Sequence, residues 1–426
     1  TGDLVDPGTR ELLRRRAAET PGEGLLGATY AGLDLGACVF SSTLRYFRCG
    51  RFDMGDPATV AKGREYLLTA LLSTECVRRI LRSLTPDTVF MSHGVYATWG
   101  PWAGMARAMN VPFSTYGGGW RRNTIIVQHD SPRSWHCDEL WARYRNVPLT
   151  AEQDRAVAQY FRSREDNSGD YFQYIRDMEH DRGAFLARHE IEPERWRRIV
   201  GVFANVAYDA AEFRHTGVFV DMYDWLLAVV EYAAAQPDVL FLLKAHPAEV
   251  NYHEWTPEPW RVGEFLRWHC GALPPNVCLI GPEEKISPYV VFGLLDVGLV
   301  NTSSVGLEMA MRGQPVLTTG MRSHYEQPEV VLVPADRADY SAWLDRLLED
   351  PARHRPDVEL VRRYAYTNYF RKAIPFEPLD VVGWEPVGCA VDALDDLAPG
   401  NFPGLDAICG AILEGAEFAM PDEASR

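Results

Sequence analysis

The run Val239-Leu-Phe-Leu-Leu-Lys-Ala-His-Pro247 carries the clearest structural signal in the chain. Five consecutive apolar residues, without alternation to polar ones, are typical of a strand buried on both faces of a parallel sheet. Proline cannot donate to a sheet ladder, so the strand ends before Pro247. Lys244 and His246 therefore stand at the carboxyl end of a buried strand, where open α/β sheets bind their ligands.

Strand and helix patterns alternate on both sides of this run. The predicted strands are Ile199–Asn205, Val239–Lys244, Val277–Ile280, Val297–Val300 and Pro315–Thr318, and the predicted helices are Asp221–Ala235, Ile286–Leu295 and a helix from Ser304 through Met311. Such alternation predicts a doubly wound, Rossmann-like α/β domain with a parallel sheet.

A shorter pattern of the same kind lies earlier in the chain. Asp87–Ser92 and Val111–Tyr116 are typical of strands, and Pro101–Met109 is typical of the helix between them. This order is a βαβ unit and implies parallel pairing. The sequence therefore predicts two α/β domains, and such a pair would bind a ligand in the cleft between them.

These patterns divide the chain into three parts. An N-terminal α/β domain with a helical extension is predicted for 1–195, a C-terminal α/β domain for 196–375, and a tail packing back on the N-terminal domain for 376–426. The charged segment between the domains fits either surface helices leading into a linker or a helical subdomain. Little structure is predicted after Pro375 until a helix at Leu405–Glu414.

Composition limits the classes of function. The 426 residues carry 43 basic and 59 acidic side chains, a net charge of −16, and 46% of them are hydrophobic. This is a globular composition without the basic footprint of a general nucleic-acid-binding protein. It stays compatible with one bound phosphate group, because backbone amides and a few local cations can hold it.

The cysteines and apolar runs indicate a cytoplasmic protein. None of the eight cysteines forms a CxxC pair, so reduced thiols are expected rather than a zinc ribbon or a redox motif. No apolar run reaches the roughly 18–20 residues of a membrane span, which leaves only peripheral membrane association. The chain begins at Thr1 rather than Met, so a removed leader stays open as an alternative.

Lys244 and His246 form the first candidate site. They are two residues apart, so both side chains leave the same side of an extended strand. His246 is suited to hydrogen-bond a phosphate, or to donate a proton to a leaving phosphate if its pKa lies near neutral. The alternative is a histidine that simply packs at the edge of the sheet.

A run of small polar residues forms the second candidate site. It consists of Asn301, Thr302, Ser303 and Ser304, followed by Gly306 and Glu308. Hydroxyls, unpaired amides and a helix dipole together favour an anion there. Gly306 would let a ligand approach the backbone, and Glu308 would accept from ribose hydroxyls. In the alternative, Ser304 is only a helix N-cap and Glu308 a surface charge.

Further candidates follow other predicted strands. They are His93 and Tyr96 after the first strand, His129 and Asp130 after an apolar run, and Asn205 and Asp209 after the strand at 199–205. His93 would deprotonate a hydroxyl or would be a structural histidine beside a glycine turn. Asp209 would be a catalytic carboxylate or a helix N-cap.

Motifs of dehydrogenases, P-loop proteins, zincins and α/β-hydrolases are absent.

The order of these motifs resembles bacterial capsule polysaccharide biosynthesis proteins, the group that includes Kdo-transferring enzymes. The resemblance is carried by Phe203-Ala-Asn-Val-Ala-Tyr-Asp209, Trp225, Lys244-Ala-His-Pro247, Asn301-Thr-Ser-Ser-Val-Gly-Leu-Glu308, Gly313-Gln-Pro-Val316, Thr319-Gly320 and His324-Tyr325. The His-Pro and Ser-Ser pairs are also similar to those of bacterial sialyltransferases, which use CMP-activated sugars.

This resemblance implies a GT-B glycosyltransferase. It implies a donor nucleotide on the C-terminal domain, with its phosphate on His246, Ser303 and Ser304 and its ribose on Glu308, and an acceptor on the N-terminal domain. It implies no metal and no cofactor, since protein groups neutralise the leaving phosphate. The acidic motif that provides the base in sialyltransferases is absent, so His93 and Asp209 are the candidates for the base.

The expected function is transfer of a sugar from a nucleotide-activated, CMP-linked donor to a glycan or small-molecule hydroxyl in surface polysaccharide biosynthesis. A polyol-phosphate transferase of the CDP-glycerol type is the alternative enzyme. A non-catalytic sugar-binding component of a polysaccharide assembly complex is the alternative outside enzymes. The sequence specifies neither the sugar, the linkage nor the oligomeric state.

Overall fold

The structure is a computed structural model, and it describes residues 4–131, 136–165, 177–208, 217–250, 261–320, 324–382 and 385–421. The helices in these ranges are α1 (Pro7–Glu19), α2 (Gly36–Phe47), α3 (Pro57–Leu84), α4 (Gly100–Ala108), α5 (Asp138–Tyr144), α6 (Ala151–Glu165), α7 (Arg182–Arg188), α8 (Met222–Ala234), α9 (Val262–Cys270), α10 (Pro288–Phe292), α11 (Val305–Met311), α12 (Arg337–Glu349), α13 (Val358–Tyr366) and α14 (Pro403–Glu414).

The strands of the same ranges are short, and most of them are apolar. They are β1 (Thr29–Tyr30), β2 (Leu33–Asp34), β3 (Val89–Ser92), β4 (Phe113–Gly118), β5 (Thr124–His129), β6 (Arg198–Phe203), β7 (Val239–Lys244), β8 (Val277–Ile280), β9 (Val297–Val300), β10 (Val316–Leu317), β11 (Ile374–Pro375), β12 (Leu379–Val382) and β13 (Glu385–Cys389).

The chain divides into two compact units. The first comprises Thr1–Trp135, Tyr208–His215 and Arg371–Arg426, and the second comprises His136–Ala207 and Thr216–Phe370. The predicted boundary after residue 195 differs from this division. Helices α5, α6 and α7 belong with the second unit. Helix α6 packs against α13, where Arg362 Nε donates to Asp154 Oδ1 at 2.5 Å, and its Tyr160 ring contacts Tyr369 just after α13. The described parts of the charged segment, 149–165 and 177–198, therefore belong to a packed unit.

The second unit is built on a five-stranded parallel sheet in the order β10-β9-β6-β7-β8. Its strands are numbered consecutively along the chain, so the first strand of the unit lies in the middle and the next ones extend to either side. This is the order of a Rossmann sheet. The predicted α/β class and the parallel pairing of this segment are confirmed.

A large hydrophobic cluster of the second unit lies on one face of this sheet. Val200, Phe241 and Leu299 point into it from three neighbouring strands, and all are essentially inaccessible to solvent. Helix α8 contributes the buried Trp225, whose indole N–H donates to Tyr340 Oη of α12 at 2.7 Å. Burying an indole needs such a partner, so this bond ties α8 to α12 across the core.

The first unit has a smaller mixed sheet in the order β11-β5-β4-β3. Strands β3 and β4 are parallel and are joined by α4, as the sequence predicts. The chain then turns back, so β5 runs antiparallel to β4 and β11 antiparallel to β5. The turn uses Asn123 at a positive φ of 55°, which asparagine tolerates better than most residues.

The C-terminal segment carries more structure than its Pro- and Gly-rich sequence indicates. Strand β11 completes the sheet of the first unit, and β12 and β13 form an antiparallel hairpin. Helix α14 places Ile408 and Ala411 against Val127 of β5. The expectation of little structure between residues 376 and 404 is wrong, because the hairpin ladder supplies the order that local propensity does not.

None of the helices in the described ranges is long and apolar enough to cross a bilayer.

We predict that Gly201→Ala destabilises the second unit by about 1–3 kcal/mol, because overpacking a close-packed core costs that much. A Cβ on this central strand would overlap Leu295 Cδ1 and lie 2.8 Å from the Phe203 ring. Urea unfolding measures the effect. Gly410→Ala is the matched control, since a Cβ there meets nothing within 4 Å. Equal stability of Gly201→Ala and the parent protein would contradict the packing of Leu295 against β6.

Candidate functional site

The carboxyl edge of the parallel sheet brings the predicted C-terminal site residues together. Phe203 of β6 pairs with Lys244 of β7 on one side and with Val300 of β9 on the other. Asn205, His246 and Thr302 each follow two positions later, where the three strands end. The chain extends in opposite directions from β6, so this is also the topological switch point at which open α/β sheets bind ligands.

Asn205 and Thr302 meet directly at the switch point. Asn205 Nδ2 donates to Thr302 Oγ1 at 2.9 Å, although the two residues are 97 positions apart. The Asn205 carboxamide oxygen accepts from the Val206 N–H at 2.8 Å, which fixes the orientation of the amide. The two loops that leave β6 and β9 are therefore held together by side-chain hydrogen bonds.

Lys244 is a buried cation. The residue is only 5% exposed, and no group in the described part of the chain accepts a hydrogen bond from its Nζ. Burial lowers the pKa of Lys244 to about 8, while the carboxylate of Glu284 opposes that shift. A desolvated ammonium without an acceptor is costly, so the position favours an anion that binds beside it.

Glu284 offsets only part of the Lys244 charge, because it is shared with other cations. Its carboxylate accepts from Arg188 Nη1 at 2.6 Å, and both of its oxygens lie 2.9 Å from His189 Nε2. His189 Nδ1 in turn lies 3.4 Å from Cys278 Sγ. Sequence reasoning missed this group, because α7 and the loop after β8 come together only in the fold.

His246 is oriented by the backbone that follows it. Its Nδ1 accepts from the Ala248 N–H at 3.1 Å, at the start of a short 3₁₀ turn over Pro247–Glu249. A ring nitrogen that accepts carries no proton, so the neutral imidazole has its proton on Nε2 and is a hydrogen-bond donor there. This geometry suits a phosphate oxygen.

The loop after β9 is packed and hydrogen-bonded. Asn301 and Ser303 are buried, and Asn301 Nδ2 donates to Thr319 Oγ1 at 3.0 Å. Tyr325 Oη donates to the Ser303 carbonyl. A Cβ on Gly306 would lie 2.5 Å from Tyr325 Oη, so the tyrosine ring fills the space in which a ligand was expected to approach the backbone. The glycine is thus explained by packing.

Ser304 and Glu308 both accept hydrogen bonds from α6, a helix that the sequence pattern does not place near them. Ser304 makes no capping bond to α11; its Oγ accepts from Arg164 Nη2 of α6 at 3.2 Å. The same Nη2 donates to Glu308 Oε1 at 2.8 Å, and Tyr289 Oη donates to Glu308 Oε2. Glu308 is therefore a buried, paired carboxylate, which differs from both a surface charge and an open acceptor for ribose.

His93 and Tyr96 lie together in the first unit. His93 follows β3, and its backbone N–H donates to the Tyr116 carbonyl at 3.0 Å. The His93 ring stands edge-on to Tyr96 with centroids 4.9 Å apart. Tyr96 Oη accepts from Arg45 Nη1 at 3.4 Å, which fixes the phenol.

His129 and Asp130 lie at the opposite edge of that sheet. Strand β5 is antiparallel to β4, so its last residue, His129, pairs with Ser114 near the start of β4. His129 Nε2 lies 2.9 Å from the Ala416 carbonyl, and Asp130 Oδ1 accepts from the Phe113 N–H at 3.2 Å. The predicted acceptor-side group therefore does not converge; these two residues hold the tail and a turn. Asp209 lies outside the described residues.

Glu249 is a second functional candidate that sequence reasoning missed. It stands three residues after His246, is 4% exposed, and its Oε1 accepts from the Val262 N–H at 3.2 Å. Its Oε2 has no hydrogen-bond partner among the described residues. Burial raises the pKa of Glu249 to about 7. The spacing His-Pro-Ala-Glu was the available signal, but glutamate is normally exposed, so the sequence alone does not indicate a buried carboxylate.

Within the described ranges, no group of three or more His, Cys, Asp or Glu side chains has the geometry to hold a metal ion. The predicted metal-independence rests on the resemblance alone and stays a prediction.

Comparison with known proteins gives distant structural likenesses. No family model and no curated protein matches the sequence. Among solved structures, the chain is similar to the KpsC beta Kdo 2,4 transferase of Thermosulfurimonas dismutans at 15% identity, covering 72% of this chain and 86% of that chain with a TM-score of 0.42. It is also similar to UDP-GlcNAc 2-epimerase from Neisseria meningitidis bound to UDP-GlcNAc, at 13% identity, 70% and 79% coverage and a TM-score of 0.34.

These scores describe a remote likeness of chain fold and carry nothing about substrate. The resemblance to capsule polysaccharide biosynthesis proteins and the similarity of the His-Pro and Ser-Ser pairs to sialyltransferases therefore stay predictions.

We predict that Glu249→Gln raises the free energy of unfolding by about 1–3 kcal/mol at pH 8 and changes it little at pH 5. Burial raises the pKa of Glu249 from 4.5 to about 7. The contribution of Glu249 to stability is therefore fully present below pH 4.5 and is lost as the pH rises through 7. Glutamine keeps an acceptor for the Val262 N–H and carries no charge at either pH. Urea unfolding at both pH values measures this.

Glu231→Gln is the control, because Glu231 is an exposed carboxylate on α8. A change below about 0.5 kcal/mol is expected for it at both pH values. A Glu249→Gln variant that gains no more at pH 8 than at pH 5 would contradict the buried, ionising carboxylate.

Proposed function

We propose that this chain is a glycosyltransferase of the GT-B type that transfers a sugar from a nucleotide-activated, CMP-linked donor to a hydroxyl of a glycan or small molecule. The observation that carries the proposal is the buried Lys244 at the carboxyl edge of the Rossmann-order sheet. Nζ lacks an acceptor among the described residues, and His246 stands two positions beyond it at the same edge. An anionic ligand satisfies the ammonium, and the His246 imidazole stands where it would contact the same ligand.

The donor phosphate is assigned to Lys244 and His246. Lys244 supplies the charge, and the His246 imidazole supplies a directed N–H donor because Ala248 holds its Nδ1. Donors that are already oriented stabilise a developing negative charge without reorganising during the reaction. The loops after β6 and β9 are joined by the hydrogen bond from Asn205 to Thr302, and they would line the same site.

The proposed reaction is displacement at the anomeric carbon. The oxygen of the acceptor hydroxyl forms a bond to that carbon, and the bond from the carbon to the phosphate oxygen breaks with its electron pair leaving on the phosphate. Lys244 and His246 stabilise the leaving phosphate. The hydroxyl proton passes to a base, for which His93 and Asp209 stay the candidates.

The charge on Lys244 separates this proposal from recognition of a neutral sugar. A site for a neutral glycan needs hydrogen-bonding groups and aromatic faces, and gains nothing from a desolvated ammonium. A cation with a depressed pKa is instead stabilised by a phosphate that restores its charge. The non-enzymatic alternative therefore leaves Lys244 without a role.

We predict that Lys244→Met weakens the binding of CMP by about 10- to 100-fold, the effect of one lost charge-assisted hydrogen bond. The same variant should unfold no more easily than the parent protein, because methionine removes a buried charge and keeps the volume. Calorimetric titration measures binding, and thermal unfolding measures stability. His246→Asn, which keeps an acceptor for Ala248, should weaken binding in the same direction.

Lys285→Met is the matched control, since Lys285 is an exposed lysine in the loop after β8. The wild-type protein is tested with CMP, CDP, UDP and GDP. Stabilisation by CDP but not CMP would favour the polyol-phosphate transferase. Binding of glycan without any nucleotide binding or donor hydrolysis would overturn the proposal in favour of a sugar-binding component.

We predict that CMP affinity falls as the pH rises above about 8. Burial lowers the pKa of Lys244 to about 8 in the unliganded protein, so the amine is charged below that value and neutral above it. A bound phosphate favours the charged amine, so above pH 8 binding requires Lys244 to take up a proton. The affinity for CMP then falls by up to tenfold per pH unit. The second ionisation of the phosphate, near pH 6, is already complete.

Titrations from pH 7 to 10 measure this dependence. Lys244→Met should flatten the profile in this range. A wild-type profile that is flat across pH 8 would contradict a role of Lys244 in phosphate binding.

A further inference from the structure

Arg164 reaches the loop after β9 from a helix far away in sequence. It is the penultimate residue of α6, and Ser304 lies 140 positions later. Its Nη2 donates to Ser304 Oγ at 3.2 Å and to Glu308 Oε1 at 2.8 Å, and its Nη1 donates to Tyr160 Oη at 3.1 Å. The guanidinium is thus aimed at a hydroxyl of the loop that forms one side of the proposed donor site.

The ion pair between Arg164 and Glu308 is buried. The side chain of Arg164 is 10% exposed and that of Glu308 is 3% exposed. Removing two charges from water costs several kcal/mol per ion, and apolar residues of similar size usually stabilise such a position as well or better. Stability alone is therefore a weak reason for an arginine here, and a function of the guanidinium is the stronger one.

Glu308 keeps a second donor when the arginine is used elsewhere. Tyr289 Oη donates to Glu308 Oε2, on the oxygen that Arg164 does not contact. The Glu308 carboxylate therefore keeps a hydrogen-bond donor when the Arg164 guanidinium donates to another anion. Ser304 Oγ, which now accepts from Arg164, is free to rotate its own proton toward the same anion.

We propose that Arg164 is a phosphate-binding residue of the donor site, and that Glu308 is its counter-ion when no donor is bound. This inference rests on the proposed function and deepens it. The guanidinium binds a phosphate oxygen next to Ser304, in the planar geometry in which arginine recognises phosphate. Strands β9 and β7 flank β6, so Ser304 and Lys244 approach the donor from strand ends about 10 Å apart.

This assignment changes the role of Glu308. The carboxylate does not contact the ribose; it competes with the phosphate for Arg164. Substitutions of the two partners should therefore shift phosphate affinity in opposite directions. A pair that only supports the fold would shift it in one direction, in step with stability.

The test compares CMP with cytidine, which differ by the phosphate alone. Arg164→Gln should weaken CMP binding by about 10- to 100-fold and change cytidine binding less than about twofold. Glu308→Gln should tighten CMP binding, by about two- to tenfold, because the amide holds the guanidinium less strongly. Arg164→Lys keeps the charge without the planar fork and should recover part of the loss.

Arg312→Gln is the matched control, because this neighbouring arginine is 43% exposed and pairs with Glu165. It should leave both affinities within about twofold. Thermal unfolding of each variant identifies any that fail to fold, and the double variant Arg164→Gln/Glu308→Gln should bind CMP as weakly as Arg164→Gln does.

Three outcomes overturn the inference, and they are distinguishable. If the wild-type protein binds CMP and Lys244→Met abolishes that binding while Arg164→Gln does not, the inference fails and the proposed function stands. If both Arg164→Gln and Glu308→Gln weaken CMP and cytidine alike, the pair is structural. If the wild-type protein binds no nucleotide, the proposed function fails and the inference fails with it.

Discussion

Parallel pairing of β6 with strands on both of its sides is the constraint on which the second unit depends. Because β7 and β9 run parallel to β6, all three end at one edge of the sheet. The residues that follow them come together there without any local sequence relation, as the hydrogen bond from Asn205 to Thr302 shows. The candidate site is therefore a consequence of strand direction and strand order before it is a consequence of any single side chain.

Buried charge is the second common feature of this edge. Lys244, Glu249 and Glu308 are each no more than 5% exposed, yet their surroundings differ. Glu308 has an arginine and a tyrosine hydroxyl, Glu249 has one backbone donor, and Lys244 has no acceptor in the described part of the chain. Hydrogen bonds within the protein thus offset the cost of desolvation for Glu308. For Lys244 and Glu249 that cost is offset only by a bound ligand or by a change of protonation state.

The first unit shows where pattern-based inference reaches its limit. The βαβ unit from β3 to β4 was predicted because its strand and helix patterns are local. The reversal of β5 was not, and it moves His129 to the edge opposite His93. Apolar periodicity indicates that a strand exists, but the partner and direction of that strand depend on contacts with residues distant in sequence, such as Ile374 of β11.

The sequence by itself determined the α/β class, the strands of the second unit and the residues at their carboxyl ends. These are local features, and apolar runs, Pro and Gly indicate local structure directly. Tertiary structure alone decided what those residues contact. It brought Arg164 of α6 to Ser304 and Glu308, set Tyr325 against Gly306, and left the Lys244 amine buried without an acceptor among the described residues. Hydrogen bonding and desolvation depend on neighbours in space, and a linear pattern does not contain them.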